Sequence, residues 1–146
     1  MAIRTLIVDD SADTRDWLRC KLKCLGCEVV GEAETAAEGL KQFLGLRPKL
    51  ITLDIMMPEI EATDAMALFA RIRQEDSEAA VLIVSARPAG DAHAYFKLGA
   101  IGFVQKGFID FHKVASLLKA NFPELEVAGA ASVKQRGLSS RLAKKS

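Results

Sequence analysis

Four short, mainly apolar runs in this 146-residue chain stop at a side chain capable of chemistry. Leu6-Ile7-Val8 runs into Asp9 and Asp10, residues 50–53 into Asp54, residues 81–84 into Ser85, and residues 103–105 into Lys106. Three carboxylates, one hydroxyl and one ammonium thus recur at the same kind of position. Singly they say little, because a loop aspartate is usually a helix cap or a solvated residue. Their coincidence is harder to assign to chance. Carboxylates brought together repel: two unit charges about 4 Å apart cost roughly 4 kcal/mol at an effective dielectric of 20. A hard divalent cation offsets that cost. Mg2+ favours carboxylate oxygens, retained waters and a substrate phosphate. The adjacent acids Asp9 and Asp10 are therefore expected to hold such an ion.

The elements that would position these groups alternate along the chain. A strand over 3–8 precedes a helix over 13–25, with Leu18, Leu22 and Leu25 at helical spacing and Gly26 where a C-cap belongs. A second strand over 28–31 is followed by the capping box Thr35-Ala-Ala-Glu38 and a helix through Leu40, Phe43 and Leu44. After Pro48 come a third strand (50–53), then Pro58 and a helix over 63–74 with Met66, Phe69 and Ile72 inward. A fourth strand covers 81–84, and Pro88 opens a helix that runs to Leu98 and stops at Gly99. The fifth strand covers 103–105 and the last helix 110–121, with Val114, Leu117 and Leu118 on one face. Near-continuous apolar strands alternating with helices imply an α/β fold, a parallel sheet covered on both faces with right-handed crossovers. Ligands of such sheets bind beyond the carboxyl ends of the strands. Asp9, Asp10, Asp54, Ser85 and Lys106 are then expected to meet in one crevice.

Charge and composition set further bounds. The net charge of +1 gives no overall pull toward nucleic acid. Residues 132–146 carry Lys134, Arg136, Arg141, Lys144 and Lys145 and no acid, so this stretch is +5 and the remainder −4. One domain over 1–122 is expected, with 123–146 as a basic linker or flexible C-terminal tail. No apolar run approaches the ~20 residues of a membrane helix, and MAIRTLIV lacks a cleavable signal pattern; a cytoplasmic protein is expected. Cys20, Cys24 and Cys27 have no histidine or further cysteine nearby to complete the usual four zinc ligands. They read as reduced thiols, with Cys20 and Cys24 off the leucine stripe and partly exposed. His93 and His112 lack neighbours that would make them catalytic, and surface positions are expected.

The segments LIVDDS (6–11), ITLDIMMPEI (51–60), VLIVSA (81–86) and GAIGFVQKG (99–107) together resemble the response-regulator receiver domain of two-component signalling and chemotaxis. The likeness spans about residues 1–122. It implies a flavodoxin-like, doubly wound (βα)5 fold with a five-stranded parallel sheet in order 2-1-3-4-5. It also implies residue roles. Asp54 accepts a phosphoryl group. Mg2+ is held by the Asp10 and Asp54 side chains and the Met56 backbone carbonyl, with Asp9 acting through a water. Lys106 and Ser85 bind phosphoryl oxygens, Phe103 is the switch aromatic, and Met56 and Arg87 flank the approach of a hydrolytic water. Two positions depart from the family pattern. Gly107 follows the lysine where a cis proline is common, and a trans bond is expected because a cis non-proline bond costs about 3 kcal/mol. Glu61-Ala62 replaces a common Asp-Gly.

The resemblance implies as partners a sensor histidine kinase or histidine phosphotransfer protein. It also implies a downstream protein target or an effector domain following this one. Neither nucleic acid nor membrane is expected to be bound directly. The face of the fourth helix, fifth strand and fifth helix, near His93, Tyr95, Lys97 and Phe103, is the expected output surface and could also form a homodimer. Tyr95 and Phe96 fit equally well as core residues of an amphipathic helix. Two rivals stand beside this reading. One is a haloacid-dehalogenase-like, Mg-dependent phosphatase, which wants a second acid two positions after its nucleophile, where Met56 stands. The other is an adaptor of the same fold that is never phosphorylated, which has no need of the acid cluster. A dinucleotide-binding domain would want a glycine-rich turn after the first strand, where Asp9-Asp10-Ser11-Ala12 stands.

Overall fold

A computed structural model describes residues 2–57, 64–86, 92–107 and 109–125. The elements in chain order are β1 (Ile3–Val8), α1 (Ala12–Cys24), β2 (Cys27–Ala33), α2 (Ala36–Leu46), β3 (Leu50–Leu53), α3 (Ala65–Glu75), β4 (Ala80–Ser85), α4 (His93–Lys97), β5 (Gly102–Gln105) and α5 (Phe111–Asn121). The five strands are parallel in the order β2-β1-β3-β4-β5, as the resemblance implied. All carboxyl ends therefore lie along one edge of the sheet.

The central strands are apolar throughout because helices cover both faces; β3 and β4 are buried at every residue. One face packs Leu6, Val8, Ile51, Leu53 and Ile83 against Phe43 of α2 and Phe69 and Ile72 of α3. The other packs Ile7, Leu50, Leu82 and Val104 against Leu18 and Leu22 of α1 and Val114 and Leu118 of α5. Each fully buried side chain of this kind contributes about 1.5–3 kcal/mol by leaving water. Close approach makes its own demand: a Cβ on Gly102 would lie 2.6 Å from Leu117 Cδ1, so any larger residue in β5 requires the Leu117 side chain of α5 to shift.

Side-chain caps start α1, α2, α3 and α5. Ser11, Thr35, Asp64 and Asp110 accept backbone N–H bonds from Thr14, Glu38, Ala67, and both His112 and Lys113. The caps explain most differences from the sequence-based boundaries. The Asp64 cap starts α3 at Ala65, which turns Ala65, Leu68, Phe69 and Ile72 inward and leaves Met66 half-buried. The second strand is longer than expected, from 27 to 33, because the register jumps from Thr5↔Val29 to Leu6↔Gly31 and the bulge at Val30 interrupts its apolar pattern. In the fourth helix the described turns are His93–Lys97; Pro88 lies outside the described residues, as do Pro58 and Glu61-Ala62. Packing continues beyond residue 122: Leu125 is buried against the α1–α5 face, and Lys119 Nζ donates to the carbonyls of Pro123 and Leu125. No helix among the described residues is long and apolar enough to cross a membrane.

Candidate functional site

Backbone bonds carry the sheet one residue past the strand ends and fix two acids and a lysine on it. The Asp9 N–H donates to Ala33 O (2.9 Å), the Asp54 N–H to Val8 O (3.0 Å) and the Lys106 N–H to Ser85 O (2.8 Å). Lys106 Nζ then reaches back across the edge and donates to both Asp9 Oδ1 (2.9 Å) and Asp54 Oδ2 (3.0 Å). The second oxygen of Asp54, Oδ1, accepts the Met56 N–H at 2.9 Å, and Asp9 Oδ1 also accepts the Ser11 N–H at 2.8 Å. Asp9 and Asp54 are only 1% and 2% exposed, whereas Asp10 faces solvent.

Burial pushes the Asp54 carboxyl pKa up; the Met56 N–H and the Lys106 bond oppose this, and the charge of Asp9 adds to it. Burial also works against the Lys106 ammonium, but its bonds to Asp9 and Asp54 and their charges outweigh it and hold the lysine above its ordinary value. Three carboxylates with one ammonium leave the cluster negative.

The donor set fits Mg2+. Oxygens from Asp9, Asp10 and Asp54 lie within 4.8 Å of one another. Asp9 Oδ2 is buried without a hydrogen-bond partner, an expensive state for a carboxylate oxygen unless a ligand or its water supplies the missing contact. All the donors are hard oxygens, and the exposure of Asp10 leaves room for retained waters.

The remaining expected residues fall as follows. Ser85 is fully buried at the end of β4, paired in register with Gln105. Phe103 is buried in β5, in the core that also holds Tyr95. The Met56 side chain is 43% exposed beside the acids. Arg87 lies outside the described residues. Tyr95 is buried and stacked on Phe69 at 6.0 Å, a core role, while Phe96, His93 and Lys97 of the same helix are exposed. His112, Cys20 and Cys24 are exposed and Cys27 is buried. Among the described residues no peptide bond is cis, and Gly107 has φ 86°, a value closed to proline. A cavity of about 310 Å³ opens beside Lys106, lined by Asp13, Thr14, Trp17, Gly107 and Ile109.

One residue escaped the reading of the sequence. Arg15 of α1 donates through Nη1 to the Asp9 carbonyl at 2.8 Å, and its side chain is only 13% exposed. The signal was present, since Arg15 stands three residues before Leu18 on the buried stripe, where a cation needs a reason.

Comparison with known proteins places this geometry in context. A family model described as the response regulator receiver domain matches residues 5–119. The chemotaxis protein CheY of Listeria monocytogenes is 34% identical over 119 residues, covering 81% of this chain and 98% of that protein. Protein-glutamate methylesterase/protein-glutamine glutaminase 3 of Geobacter sulfurreducens is 34% identical over 106 residues, which cover 71% of this chain and 28% of that longer protein. Among solved structures, the CheX–CheY–BeF3–Mg2+ complex from Borrelia burgdorferi matches with a TM-score of 0.72 at 26% identity, covering 82% of this chain and 89% of that one.

Proposed function

The chain belongs to the response regulator receiver domain family, and from that premise we propose that it is a Mg-dependent phosphoacceptor in which Asp54 takes a phosphoryl group from a phosphohistidine. The donor is a sensor histidine kinase or a histidine phosphotransfer protein. The observation that carries this reading is the Asp54 carboxylate itself: buried at the end of β3, bonded to Lys106 at 3.0 Å, with the oxygens of Asp9 and Asp10 beside it.

In the transfer an Asp54 oxygen attacks phosphorus, the bond to the donor imidazole breaks, and the imidazole leaves with the electron pair. Burial suits the nucleophile, since a poorly hydrated carboxylate has less water to shed. Lys106 already touches Asp54, so its ammonium can move to a phosphoryl oxygen as charge shifts outward. Ser85, at the adjacent strand end, supplies a hydroxyl to another such oxygen. Asp10, Asp54 and the Met56 carbonyl would hold Mg2+, with Asp9 Oδ2 accepting a hydrogen bond from one of its waters. When bound, the ion supplies positive charge that offsets the phosphoryl and carboxylate charges. Met56, exposed beside the acids, and Arg87 are the side chains whose exchange should alter the rate at which water hydrolyses the acyl phosphate.

The output is a population shift. Ser85 draws toward the phosphoryl group, the buried Phe103 ring follows, and the α4-β5-α5 face changes its affinity for a protein target, a following effector domain or a second copy. The receiver unit, expected to end near residue 122, reaches Leu125, which packs on the α1–α5 face, and the rest of the expected tail 123–146 serves as a basic linker or tail. The cytoplasm is the compartment in which such partners would be met.

Intact mass spectrometry after treatment with acetyl phosphate and Mg2+ tests the reading. The expected result is one phosphate adduct that depends on Mg2+ and is missing in Asp54→Asn. No adduct, or an equal adduct in the variant, overturns it. Steady turnover of a generic phosphate ester would favour the phosphatase instead.

A further inference from the structure

We propose that Arg15 is a positioning residue for the magnesium site, setting the direction of Asp10 through the backbone; this rests on the Mg-dependent reading above. The exposed Asp10 carboxylate is not held by a hydrogen bond or ion pair to another described residue. Its place therefore depends on the two peptide units that flank it: the Ser11 N–H ties the following unit to Asp9 Oδ1 at 2.8 Å, and the preceding one begins at the Asp9 carbonyl. That unit is planar, so fixing the Asp9 carbonyl also fixes the line along which Asp10 leaves it. Arg15 Nη1 holds that carbonyl at 2.8 Å, while the Asp9 N–H on the other side of the residue is tied to Ala33 O at 2.9 Å.

The guanidinium is itself anchored. Its Nε lies 3.5 Å from Glu32 of β2 and its Nη2 3.5 Å from Glu34. One planar fork thus joins α1, the end of β1 and the edge strand β2. The two glutamates also solve an electrostatic problem. A bare cation behind Asp9 would repel a second cation in front of it; a neutralised one does not, and only its geometry remains. Lysine cannot replace it, because an ammonium lacks the planar fork that reaches three acceptors at once. Arg19 provides an internal control: it bonds the same Glu32 at 2.6 Å and Asp16 at 2.7 Å, and the Asp9 carbonyl is bonded by Arg15 instead.

Calorimetric Mg2+ titration of the EDTA-treated 146-residue protein, with folding checked by circular dichroism, tests this. Arg15→Met should weaken Mg2+ binding about tenfold while remaining folded, in line with the loss of an outer-shell partner. Arg15→Lys should lose roughly threefold or more, because a point charge cannot keep all three contacts, and it decides the matter if Arg15→Met does not fold. Arg19→Met should bind as the unaltered protein does. Unchanged affinity in either folded Arg15 variant overturns the proposal, as does an equal loss in Arg19→Met, which would mark a general α1–β2 effect. If the unaltered protein binds no Mg2+, the magnesium reading itself falls, and the positioning role with it.

Discussion

Asp54 is a buried carboxylate that shares one ammonium with a second buried carboxylate, Asp9. Its folded-state pKa is raised, chiefly by burial, from an ordinary value of 3.8. Between that value and the raised one, the folded protein holds a proton that the unfolded chain has released. Stability contributed by this group therefore falls as pH rises through the interval and stays lower above it. Asparagine keeps an acceptor for the Met56 N–H without the charge. In EDTA, Asp54→Asn should melt roughly 3–5 °C higher at neutral pH, about 1 kcal/mol for a domain of this size. The gap should shrink as pH is lowered toward 3.8. Equal melting temperatures across that range would contradict the electrostatic account. Lys106 has the opposite sense. Its pKa is raised above 10.5, so its contribution is complete below that pH and lost as pH climbs through the folded value. Asp54→Asn should weaken that alkaline loss.

At the scale of the element, the residues that close and open helices and loops decide the detail. Gly107 stands at φ 86° with open space where a Cβ would go. Gly107→Ala should therefore cost about 1 kcal/mol through the backbone alone, with no clash to relieve; an unchanged unfolding midpoint would show that the loop simply rearranges. On α1, Cys20 and Cys24 are exposed, while Cys27 at the start of β2 is buried, and burial pushes its thiol pKa up. Iodoacetamide should label Cys20 and Cys24 in the native protein and reach Cys27 only on unfolding. Rapid native labelling of all the cysteines would place β2 in a looser state than described. The elements legible in the sequence were those with one-sided or fully apolar patterns: Ile3–Val8 and Leu50–Leu53 came out at their true bounds. Those misjudged had a cap or a bulge that hydrophobic periodicity does not record, Asp64 at α3 and Val30 in β2.

At the scale of the molecule, groups distant in the chain form one site because parallel strands deliver every carboxyl end to the same edge. That is why Asp9, Asp54 and Lys106 could be assembled from sequence alone: each marks where an apolar run stops. Arg15 left one trace in the sequence, a cation on the leucine stripe of α1, but the group it bonds is a backbone carbonyl, which a sequence does not record. Leu125 was missed for a related reason, as a lone leucine after Pro123 has no periodic neighbours, yet it is 1% exposed against α1 and α5. Leu125→Ala should cost about 2–4 kcal/mol in chemical denaturation, the range for emptying a buried leucine site. A cost under about 0.5 kcal/mol, typical of a surface change, would mean the segment does not pack there.

The most direct test of the phosphoacceptor assignment is chemical mapping of the acyl phosphate. The protein is treated with acetyl phosphate and Mg2+, reduced with borohydride, digested and sequenced by tandem mass spectrometry. Reduction converts a phosphorylated aspartate to homoserine, and the account predicts homoserine at position 54 and at neither Asp9 nor Asp10. Homoserine at either of those acids, or at none of the three, would contradict it.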